Sequence, residues 1–261
     1  MRRRTLVLCY HAISDDWSHE LGVTPRVFDL HLRGVLCRGF RPVSAGEAVE
    51  RGGRVLHVTF DDAFRSVSLA LPVLERLGIP ATVFVVTSYA DDGRPVAVPE
   101  LAAERDRHPE HLATMDWDAL GALLERGVEI GSHTQTHAHL GQLGDAELTR
   151  ELRDSRSRCE DELRRPCRYL AYPYGEHDGR VQRAARLAGY RAAFALMSGA
   201  DARNPYAFPR VDLYGYDGTF RARVKTSVLG GPLSKVLWRL RTRPEPAQRP
   251  VAGRGPDAGR D

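Results

Sequence analysis

No stretch of this chain approaches the roughly 18 uninterrupted apolar residues that a membrane-spanning helix needs, so a spanning segment is excluded. Cysteine is scarce and unpatterned. Cys9, Cys37, Cys159 and Cys167 contain no C-x-x-C, and Cys159 and Cys167 lie eight apart. That spacing excludes a cysteine metal site or dithiol centre, and it predicts reduced, buried thiols. Lysine is almost missing: Lys225 and Lys235 are the two present, and the rest of the 38 basic residues are arginines. They alternate with 34 acidic residues, so the net charge of +4 reads as base-composition bias rather than a nucleic-acid footprint. No export leader is expected either. Met1-Arg2-Arg3-Arg4 is positive, but Thr5 to Cys9 is too short for a signal h-region, so a cytoplasmic location is expected. Finally, no histidine follows His177.

What is present is a foldable composition. The 261 residues are 42% hydrophobic, with nine Tyr, eight Phe and three Trp, which excludes global disorder and suffices for one large domain or two small ones. Short apolar runs alternate with longer amphipathic stretches, the pattern of strands alternating with helices. Strands are predicted at 5–10, 55–60, 81–86, 128–132, 169–172 and 191–196, with Val211 closing the series. Helices are predicted at 24–38, from Ser44, at 64–77 with a bend or restart at Pro72, and at 116–126, 145–163 and 178–188. Residues 88–113 lack clear periodicity and read as an excursion or lid loop. About seven β/α units predict a single-domain barrel of parallel strands, complete or incomplete.

Three places carry chemistry. His57-Val58-Thr59-Phe60-Asp61-Asp62 ends an apolar strand on adjacent carboxylates, where β/α architectures put their active sites. A helix N-cap pair is the plain alternative. In Gly131-Ser132-His133-Thr134-Gln135-Thr136-His137-Ala138-His139, the spacing of His133 and His137 puts two imidazoles on one face of a helical turn. One added carboxylate completes a metal-binding set with open positions, whereas His139 reads as exposed. Leu170-Ala171-Tyr172-Pro173-Tyr174-Gly175 runs from a strand into a Pro/Gly turn that can aim an N–H at a reacting oxygen.

Together, and in this order, Thr59-Phe60-Asp61-Asp62, Ser132-His133-Thr134-Gln135-Thr136-His137 and Tyr172-Pro173-Tyr174-Gly175 resemble the polysaccharide deacetylase family. This is the NodB-homology domain of carbohydrate esterase family 4, and the resemblance spans roughly residues 5–215. It implies a distorted, incomplete (β/α) barrel. It also implies Asp61 as general base, and Asp62, His133 and His137 as ligands of a divalent metal, usually zinc, with cobalt and nickel suiting the same donors. Zinc lowers the pKa of its water from 15.7 towards about 7. Asp61 would take that water's proton during attack on an acetamide carbonyl, and the Tyr174 N–H would help hold the oxyanion.

The chain departs from the family pattern at three points. Ala63 replaces a frequent glycine after the paired carboxylates. No arginine precedes Tyr172-Pro173, so Arg168 or, preferably, Arg210 in Phe208-Pro209-Arg210-Val211-Asp212 takes over the orienting of the base. The late histidine that serves many members as general acid is absent. Leu8-Cys9-Tyr10-His11 and Gly22-Val23-Thr24-Pro25-Arg26-Val27-Phe28 resemble the branch that de-N-acetylates poly-N-acetylglucosamine, which implies His11 as the acid.

The expected organisation is a deacetylase domain at 1–230, an amphipathic terminal helix at 231–241 and a disordered tail at 242–261. Leu233, Val236, Leu237 and Leu240 form one stripe among Lys235, Arg239, Arg241 and Arg243, which fits either packing on the barrel or a peripheral contact with an anionic membrane. The expected activity is metal-dependent removal of N-acetyl groups from an N-acetylhexosamine-containing glycan or lipid-linked sugar. The alternative is an inactive sugar-binding protein that keeps the fold. An Fe(II) oxygenase gives Asp61 no role, and a glycosidase needs its carboxylates about 5 to 9.5 Å apart on opposite sides of the bond.

Overall fold

The computed structural model describes residues 5–196 and 200–227. The chain opens with β1 (Thr5–Tyr10), buried over its last five residues, and a small parallel pair, β2 (Ala12–Ile13) and β3 (Gly22–Val23). α1 (Pro25–Leu36) starts where Thr24 accepts the Val27 N–H, with Pro25 supplying the preset φ of a first turn. β4 (Arg41–Pro42) leads to α2 (Ala45–Glu50), capped by Ser44 through the Glu47 N–H. The wholly buried β5 (Val55–Phe60) follows. A 3-10 turn at Arg65–Ala70 gives way at Pro72 to α3 (Leu71–Leu77), because proline starts a helix where it cannot continue one.

After β6 (Ala81–Val85), the expected excursion holds a helix of its own, α4 (Ala102–Arg107), between two 3-10 turns. None of its six residues is buried, so no apolar period announces it in the sequence. The rest alternates as predicted: α5 (Trp117–Glu125), β7 (Glu129–Ser132), α6 (Asp145–Leu163), β8 (Tyr169–Ala171), α7 (Gly179–Leu187) and β9 (Ala192–Ala195). Two short strands, β10 (Phe208–Pro209) and β11 (Val211–Asp212), and α8 (Thr219–Lys225) end the described chain.

All strand pairs are parallel, in the order β10-β9-β8-β7-β6-β5-β1-β11, with β4 added beside β5. The two ends of this path, β10 and β11, are separated in sequence by Arg210 alone. The sheet therefore curls until its edges meet at one residue, a nearly closed barrel whose seventh unit is split. Arg210 stands in the seam, its N–H bonded to the Ala195 carbonyl. Apolar residues from both faces of the sheet and from the helices fill the core, as a parallel sheet covered on both faces requires.

At Gly131 in β7, an added Cβ would lie 2.6 Å from the Phe84 ring and 2.9 Å from the Tyr169 carbonyl, so only glycine lets these strands pack. The four cysteines are free, but Cys37 is exposed, because it caps the outer end of α1, whereas the other three are buried as predicted. No described helix is long and apolar enough to cross a membrane. The expected helix at 231–241 and tail at 242–261 lie outside the described residues.

Candidate active site

The site is built where β5, β7, β8 and the seam end. Asp61 continues the ladder, its N–H donating to the Tyr10 carbonyl (2.9 Å), and the chain then swings through left-handed Asp62 (φ 64°) and Ala63 (φ 50°). This turn sends the adjacent carboxylates in different directions. It also explains the family's glycine at 63, since that φ disfavours a side chain. The carboxylates are not helix caps: the 3-10 turn that follows begins at Arg65, and the residue at its N-cap is Phe64, with no side-chain cap.

Asp61 meets Arg210. The guanidinium donates from Nη1 to Oδ1 (2.6 Å) and from Nη2 to Oδ2 (2.8 Å), and Nη1 also reaches Thr59 Oγ1 (3.2 Å). Arg210 has no exposed surface, and Asp61 has 4%. Burial alone would raise the Asp61 carboxyl, but Arg210 and His133 outweigh it and hold the group well below the usual carboxylate range. Asp61 is therefore an ionised carboxylate of fixed orientation. The Cys9 thiol donates to its Oδ2 at 3.5 Å. Arg168, the other arginine considered, is exposed on the outside of the barrel.

Asp62 meets the two histidines. Its Oδ1 lies 3.7 Å from His133 Nε2 and 3.5 Å from His137 Nε2, and it is buried without a hydrogen-bond partner. His133 donates from Nδ1 to the Ala171 carbonyl (2.8 Å), which leaves Nε2 turned inward. Burial pushes both imidazoles down to about 4, so each is neutral, the form that binds a cation. Burial pushes the Asp62 carboxyl up, against the pull of His133 and His11. One donor atom from each of Asp62, His133 and His137 lies within 4.8 Å of the others. An orphaned carboxylate oxygen facing two neutral imidazoles fits a divalent metal.

The helical turn predicted for residues 133–137 does not form. Thr134 (φ 70°) and His137 (φ 63°) are left-handed, and the segment is an irregular loop. Side chains impose it. Glu151 on α6 accepts the N–H groups of Gln135 (2.9 Å) and Thr136 (3.0 Å), while Thr134 Oγ1 accepts the His137 N–H (3.1 Å). The imidazoles still meet, with ring centroids 4.9 Å apart.

His11, at the end of β1, places a ring nitrogen within 4.8 Å of an Asp61 carboxylate oxygen. Its ring lies parallel to Tyr214 (6.2 Å), and its Nδ1 is buried without a hydrogen-bond partner. Tyr174 (φ 58°) stands at the mouth, packed edge-on against His137 (4.7 Å) and stacked on His139 (4.0 Å). Its hydroxyl donates to Glu100 (3.3 Å), from the excursion after β6. All seven expected residues, His11, Asp61, Asp62, His133, His137, Tyr174 and Arg210, thus converge. Cys9, Glu100 and Glu151 join them unforeseen. Glu151 carries a readable signal, an acid on the buried face of α6, but Cys9 reads only as a buried thiol and Glu100 carries no signal.

The polysaccharide deacetylase family model matches residues 48–193, more than half of the chain. The match includes Asp61, Asp62, His133, His137 and Tyr174 but neither His11 nor Arg210. YxkH of Bacillus subtilis strain 168, a protein that carries the same family name, is 25% identical over 215 residues, 78% of this chain and 70% of its own. The Streptococcus pyogenes deacetylase PplD, solved with acetate, superposes with a TM-score of 0.68 at 20% identity, over 85% of this chain and 97% of its own. IcaB from Ammonifex degensii superposes with a TM-score of 0.67 at 23% identity, over 85% and 96%. These two likenesses concern the fold, a distorted (β/α) barrel. With the family's motifs gathered at one rim and its model matched across the centre of the fold, the chain belongs to the polysaccharide deacetylase family.

Proposed function

We propose that this carbohydrate deacetylase is a metal-dependent hydrolase that removes N-acetyl groups from an N-acetylhexosamine-containing glycan or lipid-linked sugar. The observation that carries the reading is the Asp61 carboxylate, buried, forked by Arg210 and set beside the donor set of Asp62, His133 and His137. A divalent metal held by those three residues would supply Lewis-acid polarisation of the amide carbonyl and an acidified water. Zinc suits the set, as do cobalt and nickel. Asp61, fixed by Arg210, takes a proton at a carboxylate oxygen as water attacks. His11, with a ring nitrogen within 4.8 Å of an Asp61 oxygen, gives one to the leaving amine, the role left open by the absence of any histidine after His177. The Tyr174 N–H is offered to the developing oxyanion. In the cytoplasm expected from the sequence, the substrate would be a nascent or lipid-linked sugar at the inner face of the membrane.

A sugar-binding protein that had lost catalysis would have no use for a buried, charge-paired base beside a complete donor set. Acetate release decides between the two. The purified chain is assayed on N-acetylglucosamine oligomers and lipid-linked N-acetylhexosamines, with zinc or cobalt and with a chelator. Asp61→Asn is expected to lose turnover by about 10²- to 10⁴-fold while still binding metal. His11→Ala is expected to lose turnover on amides with bound metal unchanged, and full activity in that variant would end the assignment of His11 as acid. Metal binding without chelator-sensitive release by the unaltered chain on any of these sugars would favour the binding protein.

A further inference from the structure

A second carboxylate oxygen among the described residues lies between two imidazoles. In the excursion after β6, α4 ends at Arg107, and His108-Pro109-Glu110-His111 opens the 3-10 turn Pro109–Leu112. The His111 N–H donates to the His108 carbonyl (3.1 Å). A 3-10 turn has three residues per turn, so it brings side chains three apart to one edge. Glu110 Oε1 stands 3.4 Å from His108 Nδ1 and 3.9 Å from His111 Nε2. For comparison, Asp62 Oδ1 stands 3.7 and 3.5 Å from its two imidazoles. The donor atoms of His108, Glu110 and His111 all lie within 4.8 Å of one another. Ligands of a tetrahedral zinc, at roughly 2.0–2.1 Å from it, are about 3.4 Å apart. Small rotations of the exposed His108 and Glu110 therefore bring all three onto one ion.

His111 is the fixed member. Its side chain is 15% exposed, and its ring lies parallel to Trp17 at 5.6 Å. Its other nitrogen, Nδ1, faces Asp16 Oδ1 at 4.0 Å. Asp16 belongs to the loop between β2 and β3, where Ser14 Oγ donates to the same oxygen. A carboxylate behind the second nitrogen is what orients a metal-binding imidazole. Two nitrogens and one oxygen suit zinc and its borderline neighbours, whereas calcium and magnesium want oxygens.

The place of the cluster gives it a use. α4 has no buried residue to hold it down, and Trp17 Nε1 donates to its Glu104 (3.0 Å). Trp17 also packs edge-on against Phe64 (6.2 Å), just after the turn of Asp62 and Ala63. Earlier in the same excursion, Glu100 accepts the Tyr174 hydroxyl at the mouth.

We propose that His108, Glu110 and His111, with Asp16 behind His111, form an accessory site for a zinc-like divalent cation that ties the excursion to the loop between β2 and β3. The site is separate from Asp62, His133 and His137 and does not rest on their reading.

The test is zinc binding to the full chain, free of any histidine tag, by equilibrium dialysis at neutral pH. Two ions per chain are expected, and one in Glu110→Gln and in His108→Ala, whose exposed side chains the fold does not need. Asp16→Asn is expected to weaken the accessory ion by about 10- to 100-fold. Asp106→Asn, a change to an exposed acid of α4 outside the set, is expected to leave it unchanged. Zinc is also expected to slow tryptic cleavage after Arg105 and Arg107 in the unaltered chain and not in Glu110→Gln. Binding that Glu110→Gln and His108→Ala leave whole would overturn the accessory site, whatever Asp62, His133 and His137 hold. So would the absence of any zinc binding. One ion in the unaltered chain and none in Glu110→Gln would uphold this site and overturn a metal at Asp62, His133 and His137. Binding without protection from trypsin would overturn the tie between the loops. None of these readouts depends on acetate release.

Discussion

Arg210 and Asp61 show how a single pair of side chains can set both stability and chemistry. Each is a charge with almost no contact with water, tolerable because the fork of 2.6 and 2.8 Å bonds satisfies both. Arg210→Met should leave the carboxylate buried without its partner, at a cost of about 3–5 kcal/mol, read as a lower urea midpoint. The double variant Asp61→Asn/Arg210→Met should recover most of that loss, because no ion then remains buried. A double variant as unstable as Arg210→Met would show that the guanidinium acts by packing over Phe84, 5.5 Å from its ring, rather than by charge. The roles open to Asp61 and Asp62 were legible from their place at a strand end, and Arg210 from its place beside a late strand. Cys9 was legible only as a buried thiol. Its bond to Asp61 depends on the register of β1 against β5, in which Cys9 faces Thr59, and no local pattern encodes that.

Among elements, α6 does more than cover the sheet. Its Glu151 is 8% exposed and takes two backbone N–H groups and the Thr136 hydroxyl, so the loop carrying His133 and His137 is held open against the helical turn its spacing suggests. Five of the six described non-glycine residues with positive φ are Asp62, Ala63, Thr134, His137 and Tyr174, all in the site. Each costs roughly 1–2 kcal/mol, and the surrounding bonds over-determine them. Glu151→Ala should therefore weaken metal binding by about 10- to 100-fold, measured by titration with zinc or cobalt, while the far-ultraviolet circular dichroism stays that of the unaltered chain. Unchanged affinity would mean that Ser132 and Thr134 suffice to shape the loop. This loop was misread in the sequence because a spacing of four is the period of a helix, and a carboxylate 16 residues downstream of Gln135 cancels that preference. α4 went unread for the opposite reason, having no buried face to write a period. Where an element buries a full face, as β1, β5 and α6 do, the predicted bounds and the observed ones coincide.

For the whole molecule, buried neutral histidines fix how stability follows pH. His57 donates or accepts at both nitrogens, to the Val43 carbonyl (2.9 Å) and Thr82 Oγ1 (2.9 Å), and burial pushes it down to about 4, like His133 and His137. In the unfolded chain a histidine takes a proton below about 6.5. The folded chain refuses it until about pH 4. Unfolding is therefore favoured progressively as pH falls from about 6.5 to about 4, by up to about 1.4 kcal/mol per pH unit for each proton. Asp62, pushed up by burial, opposes part of this loss. Urea unfolding across that window, in chelator, should show falling stability, and His57→Asn should remove about one proton from the slope. Saturating zinc should raise stability near pH 7 and make the fall steeper, because protons then displace a ligand as well as enter a core. His57 lies on the same strand as Asp61 but belongs to the core, so its share of the slope should be indifferent to metal. If zinc left the whole curve unmoved, His133 and His137 would be core histidines of the same kind, and the donor set would lose its purpose.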